Sequence, residues 1–115
     1  MEMMRNGHDP LVLELERIHK YIVEVTNDWY RLSGSSVTDL LRKIAEDIAC
    51  LCGNEQPEAL KYQIEHLRKI GKEFSRLHGG FLYAPHSFHL SHLEEARVDF
   101  EGTMEMIKRK TEGAE

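Results

Sequence analysis

Apolar residues fall at Leu11, Leu15, Ile18, Ile22, Val25, Trp29 and Leu32, in alternating steps of four and three. Such steps return to one side of an α-helix, so the pattern predicts an amphipathic helix over about 10–32. Asp9 is placed to cap it, Pro10 suits its first position, and Ser33-Gly34-Ser35 ends it. A second stripe runs through Val37, Leu41, Ile44, Ile48 and Leu51, with Leu40 beside it. Ser36 and Asp39 read as its capping box and Gly53 as its stop.

Pro57 opens a third helix with the stripe Leu60, Ile64, Leu67, Ile70, Phe74 and Leu77, closed by Gly79-Gly80. The short connection makes helices two and three an antiparallel hairpin. Residues 81–90 are irregular but apolar, with Phe81, Leu82, Tyr83 and Phe88, and are expected to fold over an open end of the core. Ser91 and Glu94 form a further capping box before the stripe Leu93, Ala96, Phe100, Met104 and Ile107, which reaches Lys108-Arg109-Lys110. The fold class is therefore all-α: a four-helix bundle-like domain of antiparallel helical hairpins.

The 115 residues hold no interior Pro-, Gly- or Ser-rich stretch, so one domain over 1–115 is expected, with 1–9 and 111–115 flexible. A composition of 41% hydrophobic and 30% charged residues is that of a globular protein in water. A net charge of −5 disfavours a nucleic-acid partner, which needs clustered Lys and Arg. No run reads as a secretory signal or a membrane span, so no membrane partner and a cytoplasmic location are expected. Cys50 and Cys52, one residue apart on a helix, project about 200° apart and are read as reduced thiols.

One stretch changes the picture. Asp28-Trp29-Tyr30-Arg31-Leu32, a short polar turn, and then Leu41-Arg42-Lys43-Ile44-Ala45-Glu46-Asp47-Ile48-Ala49-Cys50-Leu51 resemble the all-α NTP pyrophosphatase superfamily, the MazG-like group. The resemblance spans about residues 15–75. It implies a MazG-like fold and cleavage of nucleoside triphosphates between the α- and β-phosphates, with Mg²⁺ as cofactor. Asp47 and Glu58 would then be metal ligands, with Glu46 as an auxiliary ligand or base. Lys43, Lys61 and Trp29 would contact the substrate. Cys50 and Lys61 stand where the family carries carboxylates, so the site is a degenerate one and activity is an open question. Positions whose numbers sum to a constant lie side by side in an antiparallel hairpin, which sets Asp47 beside Lys61 and Cys50 beside Glu58. Asp47 falls at the edge of its apolar stripe and Glu58 on the far side of its own, which favours the plainer reading of an Asp47–Lys61 ion pair between helices with Glu58 as a first-turn acid.

Five of the seven histidines fall between His66 and His92. His86, His89 and His92 are spaced by three with His78 upstream, a pattern that chelates transition metals when it lies on one helical face. No nucleophile triad, glycine-rich phosphate loop or dinucleotide fingerprint is present. Two functions remain. One is a divergent triphosphate pyrophosphatase-like protein, active or inactive, with a nucleotide ligand. The other is a non-catalytic helical module for oligomerisation or protein interaction, suggested by surplus apolar residues Val12, Leu13 and Val23 on helix one. Both are compatible with a homo-oligomer, a dimer or a tetramer.

Overall fold

The structure, a computed structural model, describes residues 9–112. Its helices are α1 (Pro10–Asn27), α2 (Gly34–Gly53), α3 (Lys61–Tyr83) and α4 (Leu90–Glu112). Single turns of 3-10 helix at Glu58–Leu60 and Pro85–Ser87 precede α3 and α4. Each helix packs on two neighbours, α1 on α2 and α4, and α3 on α2 and α4, which closes a ring. Cross-contacts fix the directions. Arg17 meets Asp47 and Tyr21 meets Lys43, while Glu16 meets Lys108 and His19 meets Glu101, so α2 and α4 both run antiparallel to α1. The bundle measures 50 × 24 × 20 Å.

The predicted stripes line this ring. Leu15, Ile18, Ile22 and Val25 of α1, Leu41, Ile44 and Ile48 of α2, Leu67 and Phe74 of α3, and Leu93, Phe100 and Ile107 of α4 join one buried cluster. Each side chain removed from water in this way contributes roughly 1.5–3 kcal/mol before entropy is counted. The surplus expected on α1 is mostly absorbed: Val12 is buried, Val23 is half-buried, and only Leu13 is exposed.

The start of α1 at Pro10 and the end of α2 at Gly53 fall where expected, and the other helix ends differ, each for a physical reason. Asp9 does cap α1, accepting from the Leu11 and Val12 amides. However, α1 stops at Asn27, and residues 28–32 form a turn that brings Trp29 and Leu32 back against the core. Ser33, not Ser36, caps α2, and Asp39 binds Arg42 and Lys43 instead of a backbone amide. At the other end of α2, carbonyls left over by the helix are met by side chains: Gln56 donates to Leu51 O at 2.9 Å and Arg68 to Cys52 O at 2.9 Å.

Gly79-Gly80 does not end α3, which continues to Tyr83. No glycine among the described residues has positive φ, and Phe81 anchors the last turn on Trp29 and Phe88. That tertiary contact outweighs the roughly 1 kcal/mol helix penalty of each glycine. α4 starts at Leu90, so Ser91 lies inside it rather than at its cap, and it continues past Lys110 to Glu112. Residues 1–8 and 113–115 lie outside the described residues. No helix among the described residues is long and apolar enough to cross a membrane.

Candidate functional site

The α2–α3 hairpin decides whether the expected carboxylates meet. Its register is set by the smallest residue in the contact. Gly71 lies so close to Ile48 that a Cβ on the glycine would sit 2.8 Å from Ile48 Cγ2. One side of the same contact continues where the buried Cys52 thiol donates to Ile64 O at 3.7 Å. Asp47 is therefore level with the region of Gly71 and Lys72, and Lys61 lies about three turns of helix away, roughly 16 Å by the helical rise. The expected Asp47–Lys61 and Cys50–Glu58 pairings are both corrected by this register.

Asp47 is half-buried and takes a partner from α1 instead: Arg17 Nη1 donates to its Oδ2 at 3.1 Å. Arg17 also binds Glu14, and those two carboxylates push its pKa up, the Glu14 hydrogen bond most strongly. Glu46 is exposed and accepts from Arg42 at 3.3 Å. Lys43 lies 3.6 Å from Asp39 and over the Tyr21 ring. Glu58 and Lys61 are exposed at the start of α3. Trp29 sits at the opposite end of α2, about 30 Å from them by helix length.

A magnesium ion needs several hard oxygen ligands converging on one point. Asp47, Glu46 and Glu58 do not supply that, and among the described residues no three His, Cys, Asp or Glu side chains gather closely enough to hold a metal ion. The histidines form no such group either among the described residues. His89 and His92 approach with ring centroids 6.0 Å apart, but His86 belongs to the 3-10 turn and no third ligand joins them. Both thiols are free. Cys50 is exposed, and burial pushes the Cys52 thiol up.

Other side chains form ordered groups, and of the apolar residues expected to fold over the end of the core Phe81 and Phe88 do so, whereas Leu82 and Tyr83 are exposed. Trp29, Phe81 and Phe88 make a three-ring cluster with centroids 5.3–5.6 Å apart, drawn from the α1–α2 turn, the end of α3 and the entry to α4. Around it Tyr30 and Tyr83 stand 89% and 93% exposed, with Leu82 also exposed. Between α1 and α4, Glu101 accepts from Arg97 Nε at 2.9 Å and meets His19 Nε2 at 2.8 Å. Arg97 Nη1 also donates to Thr26 Oγ1 at 2.7 Å and to Asn27 Oδ1 at 3.0 Å. The His19 hydrogen bond, followed by Arg97, holds the Glu101 carboxyl below its ordinary range. The Thr26 hydroxyl donates in turn to Ile22 O.

A cleft of about 610 Å³ opens at the other end of the bundle, lined by Asp9, Glu14, Cys50, Gln56 and Pro57 among others. Its charged lining is acidic, which suits neither a triphosphate nor any other polyanion. No protein-family pattern, curated protein or solved structure matches the chain.

Proposed function

We propose that this chain is a non-catalytic helical module whose work is association with itself or with a partner protein. The observation that carries the reading is the placement of its uncovered apolar side chains. They concentrate at two places, the aromatic end with Tyr30, Leu82 and Tyr83, and the outer α3–α4 face with Tyr62, Val98 and Met106. Contiguous apolar groups left in water favour a partner that covers them. Against the pyrophosphatase reading stands the fate of the carboxylates. Asp47 is neutralised by Arg17, and Glu46 and Glu58 belong to other neighbourhoods. A Mg²⁺-bound triphosphate would find no common set of oxygen ligands there.

The test is a thermal titration with Mg²⁺, alone and with a panel of nucleoside triphosphates, followed by assay for released pyrophosphate. The expected result is no shift in Tm and no pyrophosphate. Mg²⁺-dependent release that Asp47→Asn abolishes would overturn the reading.

A further inference from the structure

α4 carries two apolar stripes. The first faces the core. The second comprises Val98 and Met106, one turn to either side of Gly102, and faces outward with Val98 64% and Met106 46% exposed. Tyr62 of α3, 79% exposed, flanks it across a shallow groove that Gly102 also lines. A Cβ built on Gly102 meets no atom within 4 Å, so packing inside this chain does not require glycine there. Glycine in a helix interior costs about 1 kcal/mol relative to alanine. What glycine does offer is close approach by a second backbone.

Charge along α4 is largely sorted, Arg97, Glu105 and Glu112 aside. Glu94, Glu95 and Asp99 precede Gly102, whereas Lys108, Arg109 and Lys110 lie near the C-terminal end. We propose that this face is an interface between two copies of this chain, with the α4 helices antiparallel across a two-fold axis at Gly102. This rests on the association reading above and names its partner. In such a pair, a residue any number of positions before Gly102 meets the residue as many positions after it. Val98 then meets Met106 and Glu95 meets Arg109, each contact occurring twice because the interface is isologous.

A parallel pair would instead stack Glu95 on Glu95 and Arg109 on Arg109, so the charges select the antiparallel arrangement. One like-charged meeting remains, Asp99 with Glu105. Lys69 lines the groove beside Asp99, and Arg109 lies 3.7 Å from Glu105, so each carboxylate has a cation at hand. The face is modest in area and the pair correspondingly weak, with Kd of order micromolar.

Sedimentation velocity on the full chain, from about micromolar to about millimolar concentration, measures this directly. The wild type is expected to shift from monomer to dimer. Val98→Glu with Met106→Glu is expected to leave a monomer with unchanged helical circular dichroism, since both positions are exposed. Glu95→Arg and Arg109→Glu each weaken association about tenfold, and together they restore it to within a few-fold of wild type. Gly102→Gln supplies a variant whose side chain enters open space in the monomer but separates the two helices, and it too is expected to be monomeric. A wild type that stays monomeric throughout overturns the proposal. So does a dimer indifferent to Val98→Glu and Gly102→Gln, or a charge swap that fails to restore binding. None of those results produces pyrophosphate, whose release alone overturns the underlying reading.

Discussion

Arg17 of α1 and Asp47 of α2 are joined at 3.1 Å, so the acid that sequence similarity would assign to a metal is already spoken for by a guanidinium. The pair lies at the surface, where long side chains lose freedom and water screens charge. Asp47→Asn is therefore expected to lower stability by less than about 1 kcal/mol. A double-mutant cycle with Arg17→Met in urea denaturation checks it. Coupling well above that value would mean the pair is far more shielded from solvent than its position allows.

Glycines in α3 separate by what surrounds them. Gly71→Ala is expected to destabilise the fold by about 1–3 kcal/mol, because its Cβ would press on Ile48 between two packed helices. Gly79→Ala and Gly80→Ala are expected to stabilise it by about 0.5–1 kcal/mol each, since both positions are helical and open. Thermal melts of the three variants should split in sign.

Trp29 is the only tryptophan in the chain, and it stacks on Phe88 with centroids 5.3 Å apart. Removing that ring in Phe88→Ala exposes the indole, so its fluorescence emission should move to longer wavelength while helical circular dichroism holds. The half-buried cluster makes the expected stability loss about 1–3 kcal/mol, below that of a fully buried phenylalanine. An unmoved emission maximum would show that Phe88 does not shield Trp29 in solution.

Glu101 predicts a response to acid. Its carboxyl titrates below the ordinary range when folded, because of His19 first and Arg97 next. A lowered folded-state value gives stability that is fully present above the unfolded value and is lost as pH falls through the folded one. Urea midpoints should accordingly fall with pH on the acid side of the ordinary carboxylate range, and Glu101→Gln should flatten that part of the profile. Equal slopes in the two proteins would show that the His19–Glu101 contact does not persist.

How much of this was legible in the sequence follows from which forces act locally. The four stripes, with Leu15, Ile44, Phe74 and Phe100 at their centres, were readable because helical period alone selects the buried face. The Asp9 cap and the Gly53 stop were readable too, but the ends of α1 and α3 were not, because Trp29, Phe81 and Phe88 meet there across three chain segments. The pairings across the hairpin were not legible for a related reason. The register of α2 on α3 depends on Ile48 fitting over Gly71, a packing choice that loop length does not reveal. The resemblance supplied residue types; the register sets Asp47 and Lys61 about three turns apart. Val98, Gly102 and Met106 were a visible four-residue repeat, overshadowed by the stronger core stripe beside it.

Ring closure has a kinetic consequence. The α2–α3 hairpin joins neighbours in sequence, whereas His19 and Glu101 are separated by 82 positions. Bringing the first and last helices together costs the most chain entropy, so that seam is expected to form after the folding barrier. Substitutions at Arg97 or Glu101 should then accelerate unfolding and leave refolding nearly unchanged, whereas Ile48→Val should slow refolding. The seam between α1 and α4 would act as the bundle's latch, setting how long the native state lasts rather than how fast it is reached.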